Sequence, residues 1–225
     1  MVDVKALRSG QGRTRIKFCG MTSPQDVAVA VAAGVDAVGI IVANSERSVT
    51  LERAREIAAA IPPYVSGVGV VADDTSGAEA LRDLGLTLQF AGPTPPDECE
   101  RLAAGRPYIK TFFVGEGGEV STGAPEFGLH GYAHALWMFD SSAPGRFGGS
   151  GLAFRWETVA EVARERPIVV AGGLSAENVG IVVQTLRPFA VDVRSGIERD
   201  GEKDRERMLA FVRAVHAADD ALRTA

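Results

Sequence analysis

The chain has 225 residues, 46% of them hydrophobic and 24% charged, and a formal net charge of −5. Those proportions describe a folded domain rather than a disordered segment, and the acidic balance argues against a nucleic-acid partner, although backbone N–H groups can still bind a local anion. The two cysteines, Cys19 and Cys99, lie in different predicted elements without metal-ligand spacing, no stretch is long and apolar enough to span a membrane, and Met1–Gly12 lacks the apolar centre of a secretory signal; no metal, disulfide framework or membrane partner is expected, and the cytoplasm is the expected location.

Apolar runs rich in Val and Ile alternate with amphipathic segments. Arg15–Phe18 predicts a first strand ending at Cys19-Gly20. Ser23 as N-cap, Pro24 at the first helical position and Asp26 in the first turn open a helix over Pro24–Ala33, which Gly34 stops. Ala37–Val42 is an unbroken apolar run, as expected of a strand covered on both faces. Thr50 caps a helix over Leu51–Ala60, which Pro62-Pro63 terminates. Val65–Val71, Leu86–Phe90 and Tyr108–Val114 predict the third, fourth and fifth strands, with helices at Ser76–Leu84 and Pro96–Ala103 between them. Cys99 falls inside the latter as a packing residue. Gly115–His134, with its glycines and Pro125, breaks the rhythm and reads as a loop or a short irregular helix. Leu136–Phe139 predicts strand six, ending in Asp140, and Trp156–Arg166 a helix. Pro167–Val170 follows as strand seven, Ser175 as the cap of a helix over Ala176–Leu186, and Ala190–Val193 as strand eight. A last helix over Asp204–Ala218 precedes a frayed tail at 219–225, and residues 1–13 form an N-terminal extension. About eight βα units with short connections predict an α/β fold, a single (β/α)8 TIM barrel with an irregular fifth helical segment. The chain is short against the typical length of about 250 residues, so the barrel must be compact. An open doubly wound sheet is the alternative.

The active site of such a barrel lies at the C-terminal ends of its strands. Glycine-rich turns follow the sixth, seventh and eighth strands: Gly148-Gly149-Ser150-Gly151, Gly172-Gly173 and Ser195-Gly196. Their backbone N–H groups can approach phosphate closely, which makes Gly149, Gly172, Gly173, Arg194, Ser195 and Gly196 the candidate phosphate site. Cysteine is more often an inert core residue, and an aspartate after a strand more often caps a turn. Cys19 and Asp140 nevertheless offer two titratable groups with opposed roles at one end of the barrel, a base and an acid. Arg47 is an isolated cation in a small polar loop, suited either to solvent or to a bidentate hold on a carboxylate. Gln89 and Asp192, on strands four and eight, are further candidates for substrate contact. His130, His134 and His216 have no metal spacing, and Phe154 and Trp156 read as packing residues.

These residues resemble the phosphoribosylanthranilate isomerase family of tryptophan biosynthesis. The likeness is carried by Lys17-Phe18-Cys19-Gly20-Met21-Thr22, Ser45-Glu46-Arg47-Ser48-Val49, Phe139-Asp140-Ser141, Gly148-Gly149-Ser150-Gly151, Ala171-Gly172-Gly173-Leu174 with Asn178-Val179, and Val191-Asp192-Val193-Arg194-Ser195-Gly196-Ile197-Glu198. It runs from about Arg15 to Val215, and the ordered set is far more specific than any one motif. The resemblance implies a cofactor-independent Amadori rearrangement of a phosphorylated sugar substrate by a monomer or homodimer. Asp140 would protonate the furanose oxygen, Cys19 would take the C2′ proton, Arg47 would hold the anthranilate carboxylate, and the glycine turns the phosphate. Some positions depart from the family: Ala91 stands where it has a histidine, Leu152 for a lysine, Arg194 for a serine, and Asn44-Ser45-Glu46 lacks its aromatic and proline residues. Two other readings therefore stay open, an isomerase for another phosphoribosylated amine and a non-catalytic phosphosugar-binding barrel.

Overall fold

The apolar runs form a barrel because each is covered on both faces, by the barrel interior on one side and a helix on the other. The computed structural model describes residues 12–43, 45–115, 118–123, 127–141 and 157–224. Its parallel strands are β1 (Arg15–Phe18), β2 (Ala37–Ile41), β3 (Ser66–Val71), β4 (Thr87–Phe90), β5 (Ile109–Val114), β6 (Leu136–Asp140), β7 (Ile168–Ala171) and β8 (Ala190–Val193). Each strand pairs with the next in sequence, and β8 pairs back onto β1 with Lys17 opposite Asp192. The sheet is thereby closed, and the open-sheet alternative is excluded.

The helices are α1 (Pro24–Ala33), α2 (Leu51–Ala59), α3 (Ala78–Asp83), α4 (Pro96–Ala103), α5 (Glu157–Glu165), α6 (Val179–Leu186) and α7 (Arg205–Thr224). The start of α1 is a capping box: Ser23 Oγ accepts from Asp26 N at 3.1 Å, and the Asp26 carboxylate accepts from Ser23 N at 3.0 Å. Gly34 ends the helix in the left-handed region, with φ of 95°. Between β5 and β6 the described residues contain no α-helix. A short strand, Val120–Ser121, pairs antiparallel with β5, and a 3₁₀ turn runs over Leu129–Tyr132, in line with the irregular segment expected there.

Two expected boundaries are corrected. Ser175 does not open a helix at Ala176; residues 176–178 form a turn, and α6 begins at Val179. Asn178 organises this start, its side-chain oxygen accepting from Ser175 N and its amide donating to Gly173 O, both at 2.9 Å. The tail at 219–225 is not frayed where it is described, because α7 continues to Thr224. Asp219 is buried and binds Thr14, accepting from its backbone N and its hydroxyl, each at 2.8 Å.

Alternation along the strands separates two packing layers. Phe18, Ile40, Phe90, Phe112 and Phe139 point outward against the helices. Cys19, Ile41, Val70, Met138 and Val169 belong to the smaller inner cluster. Polar side chains share that interior: Lys17 with Asp192, and Gln89 with Thr111 and Met138.

Candidate active site

Cys19 follows directly on β1, and Asp140 is the last residue of β6. In a parallel barrel both positions lie at the C-terminal mouth, so the expected acid and base share one end of the molecule. Cys19 is held from both sides as the strand runs out. Its backbone N donates to Val193 O at 2.9 Å, and Met21 N donates to Gly39 O at 2.9 Å. Gly20 turns between them with φ of 74°. The Cys19 thiol is almost wholly buried, and burial pushes its pKa up; Asp192 acts in the same direction, while Lys17 and Lys203 oppose it.

On the Asp140 side, the carboxylate lies over Gly172. A Cβ added at Gly172 would stand 2.2 Å from Ser141 Oγ and 2.8 Å from Asp140 Oδ1. Glycine is therefore required there for contact as well as for its φ of 91°. The turns after β7 and β8 are likewise pressed together: a Cβ on Gly196 would lie 2.0 Å from Leu174 O. Gly173 (φ 60°) and the 3₁₀ turn Ser195–Ile197 therefore sit side by side. Gly149 lies outside the described residues, as do Leu152, Phe154 and Trp156.

Arg47 is not isolated. Residues 45–48 fold back onto β2, with Ser48 N donating to Ser45 O at 3.0 Å and Val49 N to Ile41 O at 2.9 Å. This places the guanidinium against Glu198, which accepts from Nε and Nη2, both at 3.2 Å. The partner is 151 residues away in sequence, too far for a local reading to find. Glu198 begins a two-stranded hairpin, Glu198–Arg199 with Glu202–Lys203, turned by Asp200 (φ 52°) and Gly201 (φ 84°). Lys203 sits opposite Glu198 and donates to its carboxylate at 2.7 Å and to the carbonyl of Cys19 at 2.8 Å. Burial opposes the charge on Glu198, but Lys203 and Arg47 outweigh it and hold the carboxyl below the usual range. Burial lowers the Lys203 pKa, and Glu198 offsets part of that. A chain of charges thus runs from Arg47 through Glu198 and Lys203 to the backbone of Cys19.

The remaining candidates fall as follows. The Cγ and Cδ of Arg194 lie along Gly20, where an added Cβ would be 3.4 and 3.5 Å from them. Gln89 is buried inside the barrel, its amide near Thr111 Oγ1 and Met138 Sδ at 3.2 Å each, and its Oε1 has no partner among the described residues. Asp192 is paired with Lys17 Nζ at 2.6 Å. Lys17, Glu198 and Lys203 received no role from sequence, although two signals were present. Lys17 is the charged residue two before Cys19 in an apolar strand, and Asp200-Gly201 is a hairpin dipeptide. No group of His, Cys, Asp and Glu able to hold a metal, and no helix long and apolar enough to cross a membrane, occurs among the described residues.

Fold and site together define an enzyme of the (β/α)8-barrel class, with ionisable groups and glycine turns gathered at one face. Residues 16–214 match the family model of N-(5′-phosphoribosyl)anthranilate (PRA) isomerase. The chain is 42% identical over 214 residues to the N-(5′-phosphoribosyl)anthranilate isomerase of Halorhodospira halophila, covering 92% of this chain and 99% of that protein. It is 40% identical over 210 residues to that of Azotobacter vinelandii, covering 91% and 98%. Among solved structures, phosphoribosyl anthranilate isomerase from Thermotoga maritima superposes with a TM-score of 0.79 at 31% identity, covering 91% of this chain and 99% of that one. A phosphoribosyl anthranilate isomerase in complex with reduced 1-(o-carboxyphenylamino)-1-deoxyribulose 5-phosphate gives 0.75 at 29% identity, with the same coverage. The chain belongs to the N-(5′-phosphoribosyl)anthranilate isomerase family.

Proposed function

We propose that this chain isomerises N-(5′-phosphoribosyl)anthranilate to 1-(o-carboxyphenylamino)-1-deoxyribulose 5-phosphate, the Amadori step of tryptophan biosynthesis. The observation that carries the reading is the placement of Cys19 and Asp140 at one mouth of a closed barrel, beside contiguous glycine turns. Opening the furanose requires a proton on the ring oxygen, and Asp140 supplies it. The product of that step is a Schiff base with an acidified C2′–H, and Cys19 removes this proton to give an enolamine, which tautomerises to the ketone. In the opening the C1′–ring-oxygen bond breaks as the nitrogen lone pair forms the C1′=N bond; the protein itself moves only protons, and no cofactor is called for. The phosphate rests on the N–H groups around Gly173, Ser195 and Gly196, with Gly172 holding the turn. Arg47 faces the anthranilate carboxylate, and Arg194, Gln89 and Asp192 complete the walls. A cytoplasmic location and a monomeric or homodimeric state belong to the same proposal.

The test is turnover of phosphoribosylanthranilate, followed by loss of its fluorescence. Activity comparable to that of a family member is expected. Replacement of Cys19 or Asp140 by Ala should lower kcat by about a hundredfold or more, the usual contribution of an acid or base, while a product analogue still binds. Near-normal rates in both variants would overturn the assignment. An inactive wild type that still binds the analogue would leave the phosphosugar-binding reading in its place.

A further inference from the structure

To act as a base Cys19 must be a thiolate, and a thiolate inside a barrel is a charge removed from water. What surrounds it therefore decides whether it can serve. From β1 itself comes Lys17, two residues earlier and on the same inward face. From β8 comes Asp192, register partner of Lys17. From the hairpin after β8 comes Lys203, bound to the Cys19 carbonyl. Arg47 and Arg194 flank Gly20. The adjoining strand β2 offers Gly39 and Ile41, neither of which titrates.

Lys17 and Cys19 meet over Gly39. A Cβ added there would lie 2.8 Å from Cys19 Sγ and 3.2 Å from Lys17 Cε, so the bare α-carbon makes room for both side chains. Lys17 is only 4% exposed, so its ammonium must find its partners inside the barrel. Its ammonium is gripped by Asp192 at 2.6 Å. Burial disfavours the charge on Lys17, yet Asp192 and Cys19 together outweigh this and raise its pKa; the lysine stays charged where it stands.

We propose that Lys17 is the positioning residue that makes Cys19 usable as a base: its ammonium, oriented by Asp192, donates to Sγ and holds the thiolate inside the barrel. The inference rests on the reading of Cys19 as the proton acceptor. In the step itself the C2′–H bond breaks and an S–H bond forms. The C–H electron pair becomes the enolamine double bond and the iminium nitrogen is neutralised. Lys17 keeps its proton from beginning to end. Asp192 has a double part. It fixes the ammonium, and its own negative charge works against the thiolate.

The two partners should therefore shift the thiol in opposite directions. The experiment is the pH dependence of Cys19 alkylation by iodoacetamide in the substrate-free protein, read at that residue by mass spectrometry. Cys99 does not interfere, being fully buried in α4 with its thiol pushed up to about 12. Lys17→Met should move the alkylation midpoint up by about one pH unit or more, a tenfold loss of rate at neutral pH. Asp192→Asn, close to isosteric, should move it down. An unchanged or lowered midpoint in Lys17→Met overturns the proposal. If that variant does not fold, Asp192→Asn decides alone, and an unchanged or raised midpoint there has the same force. No substrate is present, so failure here is distinguishable from failure of the isomerase reading.

Discussion

Lys110 illustrates how a single residue can set a pH dependence away from the chemistry. It is fully buried on the outer side of β5, bonded to the carbonyl of Gly92 and 4.9 Å from the centre of the Tyr132 ring. Burial lowers its pKa from 10.5 to about 8. Below about pH 8 the folded and unfolded states both carry its proton, and the cost of burying the charge is fully present. Between about 8 and 10.5 the unfolded state binds the proton and the folded state does not, so stability rises with pH. The whole effect is on the order of 3 kcal/mol. Urea denaturation of wild type and Lys110→Met at pH 7 and pH 10 should show the wild type gaining on the variant at the higher pH. Parallel curves would mean that the lysine is not desolvated. The positions of Cys19 and Asp140 at the barrel mouth were legible at this scale because Cys19 directly follows β1 and Asp140 ends β6. The partners of Arg47, Lys17 and Asp192 were not, since closure of the barrel brings them together across 151 and 175 residues.

At the scale of elements, the hairpin after β8 braces the loop after β2. Glu198 lies between Arg47 and Lys203, and the aliphatic stem of Arg194 runs beside them over Gly20. If Arg47 meets the substrate carboxylate in the ground state and the transition state alike, disturbing its brace should weaken binding more than chemistry. Glu198→Gln is thus expected to raise KM for phosphoribosylanthranilate by about tenfold, with kcat within about threefold of wild type, the scale of one weakened charge-assisted hydrogen bond. A fall in kcat at constant KM would place Glu198 in the chemistry of Cys19 instead, through Lys203. The strands and most helices were readable because Val-rich runs, Ser23, Thr50 and Gly34 act locally. The end of α7 was not, because its polar last turns look solvated until Thr14 supplies a partner. Nor was the start of α6, where Asn178 displaces Ser175 as the organising side chain.

Across the whole molecule, the barrel is closed at one seam. There β1 lies against β8 in register from Arg15 opposite Ala190 to Phe18 opposite Val193, and α7 is clasped to the entry of β1 through Asp219 and Thr14. Asp219→Ala would leave the Thr14 N–H and hydroxyl buried without an acceptor, a loss of about 1–3 kcal/mol. Urea denaturation should show a lower midpoint with an unchanged slope. An unaltered midpoint would mean that the clasp is incidental.

The same seam bears on how the molecule is made. The Thr14–Asp219 contact spans 205 residues, and the β1–β8 pairing spans nearly as many. A ribosome delivers β1 first and its second neighbour almost last. Until β8 emerges, β1 can pair on its β2 side only, and its other edge, carrying Lys17 and Cys19, stays open to any passing strand. The surroundings of Cys19 are therefore completed only when β8 is delivered, and until then the open edge of β1 is a place where the growing chain can mispair.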